Sequence, residues 1–144
     1  MPWLGRTMKQ MDYFFTDSLK AGGIGLTKVQ WLMLRLLKTE DGQPQNQLAF
    51  LTNRNKASLT RLIDTMERKN LVARIPSKSD HRINHVYITK HGINTLKESM
   101  PVIKELIKTI QRDIPEEEIE TVIRVMKKIN LNIDDTELVA IKTK

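Results

Sequence analysis

A chain of 144 residues is long enough for one domain with its own hydrophobic core and too short for two of ordinary size. The absence of cysteine excludes disulfides, cysteine-based redox sensing and zinc-finger sites, and no apolar run is long enough to span a bilayer. The net charge of +7 favours a polyanionic partner, and the lack of a visible signal peptide predicts a cytoplasmic protein with no membrane partner.

The first third of the chain is predicted to be helical. Apolar residues at steps of three and four predict a helix over residues 3–19. Thr27 and Gln30 have the spacing of a capping box, which predicts the start of a second helix. Turn-forming residues over 40–44 end that helix, and a short third helix is expected over residues 45–51.

A fourth helix is predicted to begin after Asn55, whose side chain can cap it. Its apolar residues recur at the spacing of one helix face and comprise Leu59, Leu62, Ile63 and Met66. We expect this helix to reach about Lys69, where Asn70 can adopt the left-handed conformation that ends a helix.

The periodicity then changes to that of two strands, predicted over residues 71–75 and 85–89. In the second strand, Val86 and Ile88 are expected to face the core. The polar segment 76–82 between the strands is turn-forming, so the two strands are predicted to form a hairpin.

The last third is again predicted to be helical. Thr89 can cap a long fifth helix, in which Pro101 predicts a kink or a local break. A final helix is expected after Pro115, where the acidic run 116–118 suits a helix N-terminus. The tail over residues 134–144 has little periodicity.

A helix, a turn, a second helix and a hairpin with a basic tip make up a winged helix-turn-helix. The predicted fold class is therefore mainly α with a small β-hairpin wing. Between Arg54 and Lys90 there are nine Lys and Arg residues against three acids, so a net +6 of the chain's +7 lies there. A helix fits the major groove and a basic hairpin reaches the adjacent backbone or minor groove, so this order predicts binding to double-stranded DNA.

The alternative function from another class is a protein-interaction or RNA-binding winged helix. Such a module often lacks a basic recognition helix or carries aromatic residues on which bases stack. The predicted recognition helix is basic and has no aromatic residue, which favours duplex DNA.

The ordered motifs of the middle of the chain resemble the MarR family of winged helix-turn-helix transcriptional regulators. They are Leu26-Thr27-x-x-Gln30, Leu48-Ala49, the run from Ser58 to Asp64, Leu71-Val72-x-Arg74, Ser79-Asp80-His81-Arg82 and Ile88-Thr89-x-x-Gly92. The resemblance covers residues 26–92. Two positions depart from the family pattern, because His81 replaces a common arginine and Asn70 a common glycine.

The resemblance implies a set of DNA-binding residues. In the major groove these would be Asn55, Lys56, Ser58, Thr60 and Arg61. In the wing they would be Lys78, His81 and Arg82, with Arg82 entering the minor groove. Asp80 is expected to structure the wing through an ion pair.

The resemblance also implies the domain organisation. Residues 1–144 would form a single domain with a DNA-binding lobe over 26–92, and helices over 3–20 and 93–133 would join two subunits. A two-fold homodimer would place its recognition helices about 34 Å apart and prefer near-palindromic operators. The expected function is that of a repressor.

Release from DNA by an aromatic or phenolic effector is a further implication of the resemblance. Tyr13, Phe14 and Trp31 are placed where they could line a cleft for such a compound, although aromatic residues on these helices more often belong to the core. No metal site, cofactor or catalytic activity is expected. The histidines cluster around the wing without further ligands, and no nucleophile or phosphate-binding motif accompanies the acidic residues.

Overall fold

The computed structural model describes residues 2–134, and the chain divides between Leu106 and Ile107 into two compact units. Most of the predicted tail lies outside the described residues. The elements follow in the order α1 Pro2–Ala21, α2 Lys28–Thr39, β1 Gln43–Pro44, α3 Gln45–Leu51, α4 Lys56–Arg68, β2 Val72–Pro76, β3 Asn84–Ile88, α5 Lys90–Ile110 and α6 Glu116–Asp134.

The predicted capping box at the start of α2 is confirmed. The Gln30 backbone N–H donates to the Thr27 hydroxyl at 3.3 Å, and the Thr27 N–H donates to the Gln30 side-chain oxygen at 3.1 Å. That oxygen also accepts from Lys69 Nζ at 3.0 Å. Because Gln30 is buried, these bonds satisfy a polar group that would otherwise be costly, and they tie the end of α4 to the start of α2.

The sheet contains one strand that the sequence did not predict. The segment expected to be only a turn includes β1, which pairs antiparallel with β3 through Gln43 opposite Val86. The strand order is β1-β3-β2, and β2 pairs antiparallel with β3 from Val72 opposite Ile88 to Pro76 opposite Asn84. Two residues are too few to show a period, so β1 exists only because β3 lies beside it.

A left-handed turn joins α4 to β2, as predicted. Asn70 has φ 56°, a conformation that asparagine tolerates better than most residues. The turn brings the Leu71 carbonyl close to α5, where a Cβ on Gly92 would lie 2.2 Å from the Leu71 oxygen. A side chain at residue 92 would therefore push α5 away from the start of β2.

Of the kink or local break expected at Pro101, the break does not occur, since α5 continues through it from Lys90 to Ile110. Proline removes one backbone hydrogen bond from a helix interior. Pro101 is exposed, whereas Ser99 and Ile103 on either side are buried. Burial of the inner face keeps the helix continuous despite the lost bond.

The core of the first unit is formed by buried apolar residues of α1 to α5 and the sheet. The predicted apolar stripe of α4 is confirmed, because its four residues are all buried. Fully buried members of the core include Leu34, Leu37, Leu48, Ile63, Met66 and Val86. Burying a side chain of this size stabilises the fold by about 1.5–3 kcal/mol relative to exposure, so the core fixes how α4 and the sheet pack.

In the second unit, α6 begins with Glu116, Glu117 and Glu118 in its first turn, as predicted. Negative side chains are favourable there because the backbone N–H groups of the first turn are unpaired. None of the residues of α6 is buried, although the helix carries several large apolar side chains.

Candidate nucleic-acid interface

The amino end of α4 is held by a network around its N-cap. The Asn55 side-chain oxygen accepts from the Ser58 backbone N–H at 2.8 Å, which satisfies one of the unpaired donors of the first turn. Arg54 Nη1 donates to the Ser58 hydroxyl at 2.7 Å. The buried stripe faces the core, and on other faces of the helix Lys56 and Arg61 are exposed. These two cations are thus available at the first turns of α4.

Thr60 is engaged within the protein, which the sequence did not indicate. Its hydroxyl donates to the Lys56 carbonyl at 2.9 Å and accepts from Gln45 Nε2 at 3.0 Å. Gln45 is the first residue of α3 and was not among the predicted site residues. The spacing of 15 residues between Gln45 and Thr60 has no local periodicity, so only the packing of α3 on α4 brings them together.

The wing consists of β2, β3 and the tip over residues 77–83. The tip is closed by the Ser77 N–H, which donates to the Ile83 carbonyl at 2.7 Å, and by the Ile83 N–H, which donates to the Asp80 carbonyl at 3.0 Å. All three residues of the tip that were predicted to bind DNA are exposed, namely Lys78, His81 and Arg82.

Asp80 contacts the wing differently from the prediction. Its carboxylate accepts the backbone N–H of Arg82 at 3.0 Å, and within residues 2–134 it forms no ion pair. The expected ion pair with a side chain is therefore wrong. A carboxylate two residues before a backbone N–H closes a tight local turn, so the backbone bond forms without a cation and leaves the Arg82 guanidinium free of Asp80.

The recognition helix and the wing border one cavity of about 460 Å³. Its lining includes Lys56 from α4, Arg74 from β2 and Arg82 from the wing tip. Three cations from three elements therefore border the same cleft. Gln45 and Thr60 also line it, which places the α3–α4 contact beside the cations.

Arg74 joins the recognition helix to the wing through two acids of α4. Its side chain contacts both Glu67 and Asp64, and its backbone N–H donates to Glu67 Oε1 at 2.9 Å. We call Asp64, Glu67 and Arg74 the α4–β2 clamp. The sequence motifs included Asp64 and Arg74, and Glu67 entered only the charge count, but nothing in them paired these residues. The three-residue spacing of the acids on one helix was a signal that they could share a partner.

The clamp perturbs its own ionisable groups. The hydrogen bond from the Arg74 side chain holds the pKa of Glu67 below its usual value, outweighing the opposing effect of desolvation. Desolvation lowers the pKa of Arg74, but hydrogen bonds to Glu67 and Asp64 more than offset it, so that pKa is raised. Both groups therefore remain charged at neutral pH.

The histidines do not converge on a site. His81 is exposed at the wing tip, and His85 Nδ1 lies 2.8 Å from the Gly42 carbonyl, where it donates a hydrogen bond because a carbonyl can only accept. Among the described residues, no three His, Cys, Asp or Glu side chains are grouped closely enough to hold a metal ion.

The three aromatic residues considered for an effector cleft have different environments. Trp31 is buried, donates from Nε1 to the Ser99 hydroxyl at 2.9 Å and packs edge-on against Phe15 at 5.3 Å between ring centroids. It is therefore a core residue. Tyr13 and Phe14 are exposed on α1, with 61% and 39% of their surface accessible.

Comparisons with known proteins agree with this arrangement. The MarR family model matches residues 26–83, which span α2 to the wing tip. The HTH-type transcriptional regulator MhqR of Bacillus subtilis is 30% identical over 108 residues, covering 75% of this chain and 74% of MhqR. The chain belongs to the MarR family. It is thus a DNA-binding transcriptional regulator and not an enzyme.

Solved structures of MarR-family and related regulators share the fold. MepR of S. aureus, in a complex with DNA, superposes with a TM-score of 0.81 at 24% identity, covering 92% of this chain and 97% of MepR. PcaV of Streptomyces coelicolor, in a complex with its natural ligand, superposes with a TM-score of 0.78 at 15% identity, covering 88% and 89% of the two chains. The predicted class, mainly α with a hairpin wing, is confirmed. Within residues 2–134, no helix combines the length and apolarity that crossing a membrane requires.

Proposed function

We propose that this MarR-family protein is a homodimeric repressor that reads near-palindromic operators with α4 and the wing. The observation that carries the proposal is the cleft bordered by Lys56 of α4 and Arg82 of the wing tip. A helix in the major groove with a cation reaching the neighbouring groove is the docking mode of such a surface. A repressor of this kind acts by occupying the operator, and its working compartment is the cytoplasm, where the DNA is.

Each predicted site residue has a proposed role that its surroundings support. Exposed Lys56 and Arg61 contact phosphates and base edges in the major groove, and Arg82 enters the minor groove, flanked by Lys78 and His81. Asn55, Ser58 and Thr60 combine a DNA contact with the hydrogen bonds that order the start of α4. Asp80 shapes the wing tip through the backbone of Arg82.

Large exposed apolar side chains support the dimer. On α1 the exposed set includes Trp3, Met8 and Met11, and on α6 it includes Val122, Ile123, Val125 and Leu131. Apolar patches of this kind on a small protein mark interaction surfaces, because leaving them in water is unfavourable. We propose that helices over residues 3–20 and 93–133 pair two subunits, while residues 26–92 form the DNA-binding lobe of a single MarR-like domain.

Release by an effector is part of the proposal. The support is an exposed aromatic pair, Tyr13 and Phe14, on α1. PcaV, which has the same fold, binds a natural ligand. Because Trp31 is committed to the core, we assign the aromatic or phenolic effector to the surface of Tyr13 and Phe14 and not to Trp31.

Selection of bound sequences from a random duplex pool, followed by a salt series, tests the DNA-binding proposal. We expect a near-palindromic motif with half-sites about 10 base pairs apart. At about −0.9 per neutralised phosphate, two phosphate contacts in each of two protomers give a slope of log affinity against log salt of about −3.6 or steeper. A single-stranded or structured RNA pool is the matched control. Tighter binding to RNA, or duplex affinity that does not change with salt, would contradict the proposal.

A further inference from the structure

Two acids lie on the recognition helix, within a lobe whose net charge is positive. Asp64 and Glu67 are three residues apart on α4, and both contact Arg74 of β2. A carboxylate near DNA repels phosphate, so acids on this helix need a compensating role. Among the described residues, the carboxylates of Asp64 and Glu67 accept hydrogen bonds from Arg74 and from no other residue.

The contacts of Glu67 hold both the side chain and the backbone of the strand. Arg74 Nε and Nη2 donate to Glu67 Oε2 at 3.0 Å and 2.7 Å, while the Arg74 backbone N–H donates to Glu67 Oε1 at 2.9 Å. Two charge-assisted bonds to the single oxygen Oε2 hold the guanidinium, and the backbone bond to Oε1 fixes the position of β2 along α4. The Arg74 side chain is 21% exposed and that of Glu67 33%, so water competes only in part for these bonds.

The position of Arg74 in the sheet links the clamp to the wing tip. Arg74 is paired with Val86 of β3, which is buried in the core. Only Ile75 and Pro76 continue β2 beyond it, and the tip with Arg82 follows. β1 pairs with β3 only at Val86 and His85, so beyond Ile75 the wing is two strands wide and a shift of β2 at Arg74 is carried to the tip.

We propose that Glu67 is a positioning residue for DNA binding, which holds the wing through Arg74 so that Arg82 and α4 engage the duplex together. This inference rests on the proposed function. Glu67 itself does not contact DNA in this account. It acts through the strand that it fixes.

A purely electrostatic role and a positioning role for Glu67 predict opposite changes in DNA affinity when its side chain is removed. Loss of a negative charge from a DNA-binding lobe raises affinity for a polyanion if charge alone matters. Loss of the anchor lowers affinity if the wing must be held in place. The sign of the change therefore separates the two accounts.

The first experiment measures affinity for the duplex selected from the random pool. We expect Glu67→Ala to weaken binding about tenfold, and Glu67→Gln to weaken it less because its amide oxygen still accepts the Arg74 N–H. Glu98→Gln, which removes an exposed acid of α5, is the matched control and should leave affinity near that of the wild type. Unchanged or tighter binding by Glu67→Ala would overturn the inference.

The second experiment combines these changes with Arg82→Ala. If the clamp positions Arg82, the factor by which Arg82→Ala weakens duplex binding should be at least about threefold smaller when Glu67 is already alanine. A residue that only stabilises the fold gives additive losses, so additivity would also overturn the inference. Thermal unfolding without DNA checks that each variant is folded. If Glu67→Ala is unfolded at the assay temperature, Glu67→Gln takes its place in both experiments.

The outcomes for the inference and for the proposed function remain distinct. A wild-type protein that fails to bind any duplex contradicts the proposed function. A wild-type protein that binds duplex DNA, with Glu67 variants that bind equally well, contradicts only the role of Glu67.

Discussion

At the scale of single residues, hydrogen bonds within the protein limit what a side chain can offer to DNA. The Thr60 hydroxyl has one proton, which it donates to the Lys56 carbonyl, so toward a base it can only accept. For the proposed contact of Thr60 with a base, the partner would be the amino group of adenine or cytosine, and the methyl group could contact thymine. Arg82 is not limited in this way, because Asp80 accepts its backbone N–H and leaves the guanidinium available.

The lowered pKa of Glu67 gives a prediction for stability against pH. A carboxyl whose folded pKa is depressed contributes its full stability above its ordinary pKa and loses it as pH falls through the folded value. We expect Glu67→Gln to lower the free energy of unfolding by about 1 kcal/mol at pH 7, a small value because the pair is partly exposed. The difference from the wild type should shrink as pH falls below about 4.5, where the unfolded chain takes up the proton first, and should vanish once folded Glu67 is protonated as well.

Urea denaturation of both proteins from pH 7 downward measures this difference. Glu98→Gln serves as the control, with an expected change within about 0.5 kcal/mol at every pH. A stability difference for Glu67→Gln that stays constant or grows on acidification would be inconsistent with the clamp.

At the scale of elements, α4 is defined by its ends and placed by its neighbours. Asn55 caps its first turn, Asn70 follows its last, and the apolar stripe turns the rest of the helix toward the core. Two side-chain contacts then set its orientation relative to α3 and the wing. Gln45 joins it to α3, and Arg74 joins it to the wing. The recognition helix is therefore held in place by side chains of both α3 and the wing.

The cap at Asn55 and the proposed contact of Asn55 with DNA can be separated by two substitutions. Asn55→Ala removes the bond to the Ser58 N–H and should cost about 0.5–2 kcal/mol of stability. Asn55→Asp keeps an oxygen acceptor beside the positive end of the helix, so its stability should equal that of the wild type or exceed it. The same aspartate adds a negative charge where phosphates approach, so DNA binding should weaken.

Thermal unfolding without DNA and duplex titration together measure these effects. Equal losses of stability in Asn55→Asp and Asn55→Ala would show that the side-chain oxygen does not cap α4. Undiminished DNA affinity of Asn55→Asp would move Asn55 out of the proposed interface.

At the scale of the whole molecule, burial is uneven between the two units. The first contains the buried core, whereas α6 in the second has no buried residue and exposes Val122 at 55% and Leu131 at 62%. An amphipathic helix gains most of its stability from covering its apolar face. The proposed dimer supplies that cover from a second copy of the chain.

Truncation after Ile114 tests this account, because it removes α6. We expect the truncated protein to sediment as a monomer, and to bind a half-site more weakly than the dimer binds the full operator, since one set of contacts is lost. Truncation after Asp134, which keeps α6, is the length control and should remain dimeric. A dimer that persists without α6 would show that α6 is not required for subunit pairing.

Local sequence determined the elements and their order. Caps, turn residues and three-to-four periodicity act over a few residues, so most helix bounds, the start of α4 at Asn55 and the hairpin could be predicted, and with them the winged helix-turn-helix fold. The tertiary structure decided what depends on residues distant in sequence. It added β1, kept α5 continuous through Pro101, committed Trp31 to the core, engaged Thr60 with Gln45 and joined Glu67 to Arg74. These contacts follow from which faces pack together, and no local pattern encodes that choice.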